Sequence, residues 1–228
     1  MSPQITHFSE FDASSVTFSE LRKNKMGGKG VYLSKGKEKL LIQLPKLRMP
    51  FGLGEYTDQA SGRTSYSVDL SLQDQDDLRG ILEKLDAVVV DQVKKNSKSW
   101  LGKAHSEDVI KQALYKPVVK LPQDDKYAPT IKIKVVVDSN NNFVSKCFNN
   151  RCEEMPLKDL QKGQYVRAIA HVSQVWIIDN KCGVTMKLEQ LQAFPTDKLT
   201  DFAFLDDGEG EEGSGEEAES DEDELIDE

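Results

Sequence analysis

Residues 164–191 read QYVRAIAHVSQVWIIDNKCGVTMKLEQL. From Gln164 to Val172, Val166, Ala168 and Ala170 alternate with Tyr165, Arg167 and Ile169, the period of a strand with one buried face. Gln174–Ile178 and Gly183–Leu191 then flank Asp179-Asn180, residue types that tolerate the left-handed backbone of a tight hairpin turn. A β-hairpin near the end of the chain is the frame on which the rest is read.

Upstream of the hairpin, residues 131–137, IKIKVVV, set Ile131, Ile133 and Val135 against Lys132 and Lys134. The polar run 138–142 reads as a turn, with Phe143–Phe148 as its return strand. Residues 64–72, TSYSVDLSL, place Tyr66, Val68, Leu70 and Leu72 on one face of a half-buried strand. Residues 38–48, EKLLIQLPKLR, form a further strand with Pro45 near its end or edge, and Pro50, Gly52 and Gly54 mark the loop after it.

Between these strand regions the period changes. Leu78, Ile81, Leu82, Leu85, Val88, Val89 and Val93 recur at three- and four-residue spacing, which predicts a helix over 76–95. Asp74, Asp76 and Asp77 at its start and Lys94, Lys95 and Lys98 at its end match the helix dipole. A shorter helix is expected from Ser106, as N-cap, to Tyr115. The fold class is mainly β (α+β): an OB-like, partly closed antiparallel barrel with inserted helices. Three segments are expected: a polar, partly ordered arm over 1–30 containing the patch Met26-Gly27-Gly28-Lys29-Gly30, an OB-like domain over 31–200, and a disordered acidic tail over 201–228.

Charge sharpens this division. The 228 residues carry 30 Lys+Arg and 39 Asp+Glu, a net charge of −9 that taken whole argues against nucleic acid. Residues 206–228 alone hold 14 acids and no base, which leaves 25 acids and 30 bases, a net charge of +5, on 1–205. A mildly basic body with an acidic tail is compatible with a polyanion ligand. Three cysteines are too few for a disulfide-stapled secreted domain, no run is long enough to span a bilayer, and the N-terminus lacks a signal-peptide pattern. The expected setting is intracellular and reducing.

Catalytic chemistry finds no support. His7, His105 and His171 are scattered, and the Gly-rich patch lacks the GK[ST] ending of a phosphate loop. Cys147, Cys152, His171 and Cys182 lack the paired spacing of a zinc site, so neither metal nor other cofactor is expected, and the chain reads as a non-enzyme. Single-strand binders combine cations for phosphates with aromatic rings that stack on bases. The candidates are Lys46, Arg48, Lys132, Lys134, Lys146, Arg151, Arg167, Lys181 and Lys187 with Phe51, Tyr56, Phe148, Tyr165 and Trp176. Lys132 and Lys134 share one strand face and form a stripe.

The stretches LPKLRMPFGLGEY, YSVDLSL, LYKPVVK and VWIIDNKCGVTMKLEQLQ, in that order, resemble the OB-fold single-stranded-DNA-binding proteins of nucleocytoplasmic large DNA viruses, which are similar to a tailed-phage type with an acidic C-terminal tail. The resemblance spans roughly residues 38–194 plus the tail. It implies sequence-independent binding of single-stranded DNA in replication, recombination and repair, at replication sites in the nucleus or cytoplasm of an infected cell. It also implies that the strand with Lys46 and Arg48, the Phe51 loop and the Trp176–Lys181 hairpin line one groove. The tail would compete for that groove, and Leu225-Ile226 within it would dock replication enzymes; the phage tail ends in an aromatic residue, whereas this one ends ELIDE. Membrane partners are not expected, and homodimerisation stays open. The alternative is a structural or chaperone-like protein that holds basic proteins through its acidic tail.

Overall fold

The turn forms as its residues dictate: Asp179 and Asn180 both take the left-handed backbone, with φ of 49° and 64°. In the computed structural model, which describes residues 4–23, 28–196 and 204, this turn joins the two longest strands. In chain order the main elements are β1 (Lys29–Lys35), β2 (Leu41–Arg48), β3 (Leu53–Thr57), β4 (Thr64–Ser71), α1 (Asp76–Trp100), β5 (Thr130–Val135), β6 (Lys146–Phe148), β7 (Tyr165–Ile178) and β8 (Lys181–Ala193).

The register defines the architecture. β7 pairs antiparallel with β8 along its whole length, with β2 from Tyr165↔Arg48 to His171↔Leu41, and with β1 from Gln174↔Tyr32 to Ile177↔Lys29. β8 meets β5 in parallel at Lys134↔Lys187, β5 pairs antiparallel with β4, and β4 with β3. Taking β2, β4, β5, β7 and β8 as five barrel strands, the first lies beside the fourth, and the third lies parallel to the fifth. That is the OB Greek key, left partly open because β2 and β4 share no ladder among the described residues. The protein is mainly β, with helices inserted between the second and third barrel strands.

The alternating residues fill the interior. Val166, Ala168, Ala170 and Val175 of β7 pack with Met186, Leu188 and Leu191 of β8, Ile131 and Ile133 of β5, and Val68 and Leu70 of β4. α1 adds Leu78, Leu82, Leu85, Val89, Val90 and Val93 to the same core. It has Asp76 and Asp77 in its first turn and Lys98 in its last, and Gly102, at φ 83°, follows its C-cap Leu101.

Five expectations change. The stretches 164–172 and 174–178 are one strand: Val172 and Ser173 are both buried, the register shift between Val172 and Gln174 leaves Ser173 as the extra residue, and the Ser173 hydroxyl donates to the Thr185 carbonyl at 3.1 Å. The return strand over 143–148 does not form as such. A single bridge joins Val137 to Phe143, the Ser145 hydroxyl bonds the Leu188 carbonyl at 2.6 Å, and β6 pairs instead with Gln190–Gln192 of β8. The helix expected over 76–95 continues to Trp100, whose side chain is buried. The second helix is a turn at Glu107–Val109, capped by Ser106, that opens into a π turn over Ile110–Leu114. Residues 5–18 are packed rather than arm-like: Ile5–His7 pairs parallel with Leu41–Gln43, and Phe11, Ala13 and Val16 enter the core.

The described residues up to Thr196 belong to one compact unit. Met26 and Gly27 of the glycine patch, and the acidic tail with Leu225 and Ile226, lie outside the described residues. Among the described residues no helix is long and apolar enough to cross a membrane.

Candidate nucleic-acid interface

Asp86, on the inner side of α1, accepts hydrogen bonds from the Tyr115 hydroxyl at 2.5 Å and from the Val118 N–H at 3.1 Å. Burial pushes its carboxyl up to about 6, although both hydrogen bonds oppose the shift. This anchor holds the segment 115–120 beside the barrel. There Tyr115–Lys116 pairs with Cys182–Gly183, and Val119–Lys120 pairs with Thr130–Ile131. Lys116 and Lys120 thereby join Lys132 and Lys134 of β5 around a cavity of about 320 Å³, one wall of which is Trp176.

Four lysines thus line one cavity together with a half-buried indole. Among the described residues, Asp69 is the carboxylate within ion-pair distance of the four, 3.5 Å from Lys132 and 4.0 Å from Lys120. Among the described residues no carboxylate lies within ion-pair distance of Lys116 or Lys134. Burial holds the Lys120 ammonium below its ordinary value, and the neighbouring charge of Lys132 lowers it further. A bound polyanion would relieve this repulsion, and the indole supplies a stacking face.

A second patch occupies the other end of the hairpin. Lys46 of β2 stands opposite Arg167 of β7, and Arg48 opposite Tyr165. The Lys46 ammonium lies 4.5 Å from the ring centre of Phe194 and 5.2 Å from that of Tyr165, and the Arg167 guanidinium lies 5.6 Å from Phe194. These are cation–π distances on an exposed face. Between the patches the outer face of β7 and β8 carries His171 and Lys187, direct partners across the hairpin. Burial lowers the His171 imidazole, while Glu189, 3.4 Å away, opposes that.

The residues expected in one groove are therefore divided between two patches. Lys132, Lys134 and Trp176 come together, Lys187 pairs with Lys134 across the strand junction, and Lys46, Arg48 and Arg167 form the second group. Phe51 is 67% exposed on its loop, where Gly52, at φ 70°, lets the chain pass against Leu160. Tyr56 is equally exposed on β3, and Lys181 stands beside the hairpin turn. Lys146 is ion-paired with Glu154 at 2.9 Å, so its charge is already matched. Arg151 is exposed in a turn organised by the Asn149 side chain, which accepts the backbone N–H groups of Arg151 and Glu153.

Lys116, Lys120 and Phe194 were not among the sequence candidates. The lysines flank Pro117-Val118-Val119 in a stretch with no clear period, and Phe194 follows the last alternating residue. Among the described residues no three His, Cys, Asp or Glu side chains gather as a metal site. Cys147 and Cys182 are buried, and burial pushes each thiol up to about 11.

Among solved structures, the chain is similar to the single-stranded DNA-binding protein of bacteriophage Enc34 in complex with single-stranded DNA. Identity is 15% over 81% of this chain and 99% of that one, with a TM-score of 0.48. It is also similar to gp2.5, a single-stranded DNA-binding protein encoded by bacteriophage T7, at 16% identity over 79% of this chain and 100% of that one, with a TM-score of 0.40. No curated protein matches the chain. The family of unknown function DUF5871 matches residues 59–206, more than half of the 228 residues, and the chain belongs to that family.

Proposed function

We propose that the protein is a non-enzymatic binder of single-stranded DNA that engages its ligand without regard to sequence. The observation that carries this reading is the gathering of Lys116, Lys120, Lys132 and Lys134 around one cavity with Trp176. It lies beside β5, the third barrel strand, near the loop between the fourth and fifth strands, a surface through which OB-folds take oligonucleotides. Four cations with one carboxylate in ion-pair distance among the described residues favour a ligand of regular negative charge, and a half-buried indole favours one with flat rings.

In the fuller form of the proposal, the protein serves viral DNA replication, recombination and repair. The tail of 14 carboxylates competes with DNA for the cations, and Leu225-Ile226 docks replication enzymes once DNA has displaced the tail. Titration of a Trp100→Phe variant with oligo-dT at low salt tests the binding step, since Trp176 is then the remaining tryptophan. Quenching that reverses as salt is added is the expected result. Unchanged fluorescence with no gel shift, together with a salt-sensitive complex with a basic protein, would overturn the reading in favour of a tail-mediated protein holder.

A further inference from the structure

At the Arg167 end of the hairpin the register builds a second concavity. Gln43, Ile169 and Gln190 stand in one row across β2, β7 and β8. Arg167, Gln192 and Phe148 stand in the next row, across β7, β8 and β6. Direct partners in a sheet point to the same side, so these six side chains share the outer face. They line a pocket of about 320 Å³, with Cys152 at its edge.

The lining is unusual for a solvated sheet face. Among the described residues no protein group hydrogen-bonds the side-chain amides of Gln43, Gln190 or Gln192. Each amide has two donors and an acceptor, and rotating it exchanges them. Phe148 offers a flat apolar surface and Arg167 a cation that no carboxylate neutralises among the described residues. Flat ring, adaptable polar edge and adjacent phosphate are the three parts of a nucleotide that such a lining complements.

We infer that this pocket seats one nucleobase of a bound single strand. Phe148 stacks on its face, the glutamine amides hydrogen-bond its edge, and Arg167 holds the adjoining phosphate. Because the amides rotate, any of the bases satisfies them, so the pocket requires a base without selecting one. The inference rests on the single-strand reading above, and adds an interaction that the lysine groove does not need.

Cys152 reports on the pocket directly. It is exposed, whereas Cys147 and Cys182 are buried, so a thiol-exchange reagent attacks Cys152 first in the folded full-length chain. Saturating oligo-dT is expected to slow that reaction by about fivefold, the lower end of what one stacked base confers. An abasic strand of equal length, driven onto the protein at low salt, leaves Cys152 reactive. A Gln190→Leu/Gln192→Leu variant, altered only on the outer face, keeps the Trp176 quench but loses most of the protection. Trp176 quenching with no protection of Cys152, or equal protection in the variant, overturns the pocket and leaves the groove standing. Absence of both signals overturns single-strand binding itself, and the pocket with it.

Discussion

The indole of Trp176 covers Gly183 so closely that a methyl group there would meet its Cζ2 at 2.9 Å, and the Lys116 carbonyl oxygen at 2.9 Å. The two residues are direct partners across the hairpin, so the glycine sets how deep the ring sits. Gly183→Ala must push back either the ring or the backbone that carries Lys116. The expected cost is about 1–3 kcal/mol of stability, the range for overpacking. Thermal unfolding should show a lowered midpoint, and oligo-dT should quench the displaced ring less. An unchanged midpoint with unchanged quenching would show that the ring is not held there.

Charge removal should separate the two kinds of lysine. When a cation stops neutralising one phosphate of a single strand, the slope of log affinity against log salt becomes shallower by about 0.7. Lys116→Gln and Lys134→Gln are each expected to show that change with little effect on unfolding, because both side chains are exposed and neither has a carboxylate within ion-pair distance among the described residues. Lys146→Gln should leave the slope nearly intact, since that ammonium is already paired with Glu154. Equal slopes for all three variants would remove the groove from the binding mechanism.

Acid should stabilise the anchor on α1. The Asp86 carboxyl lies at about 6 in the folded chain against 3.8 ordinarily, with burial as the main cause. The folded state therefore holds this proton more tightly than the unfolded state. The stability it contributes is complete below about pH 4 and lost as pH rises through about 6. Urea unfolding across this range should show the decline, and Asp86→Asn should flatten it. Tyr115→Phe removes a hydrogen bond that favours the carboxylate, so the loss should move to higher pH.

The tail makes a separate prediction. If its 14 carboxylates occupy the lysine groove in the absence of DNA, a chain ending at Leu205 binds oligo-dT more tightly than the full chain, most clearly at low salt. Equal affinities in parallel titrations would end the competition scheme without touching the groove.

What could be read in advance followed periodicity. Tyr66, Val68, Leu70 and Leu72 announced β4, and the aspartate and asparagine at 179–180 announced the hairpin, because one face of each strand is buried and the other wet. The continuity of β7 was hidden by Val172 and Ser173, two consecutive buried residues at a bulge. Phe11, Ala13 and Val16 follow no helix or strand period, and they reach the core from turns. The cationic stripe of Lys132 and Lys134 was legible for the same reason as the strand. Its extension to Lys116 and Lys120 was not, because these arrive by short pairings that depend on the buried carboxylate of Asp86, 30 or more positions away in the chain. Nor did spacing reveal that Gln43, Gln190 and Phe148 converge, since they sit on three different strands.

The uninterrupted β7 strand also works as a measuring rod. Arg167 and Trp176 are nine residues apart along it, roughly 30 Å at strand rise. A single strand stacked as in a duplex advances about 3.4 Å per nucleotide, so bridging both ends takes about nine nucleotides, and fewer if the strand is stretched. Oligonucleotides below that length can touch one patch or the other but not both. The hairpin, rather than any flexible linker, would then fix the smallest ligand able to use the whole surface.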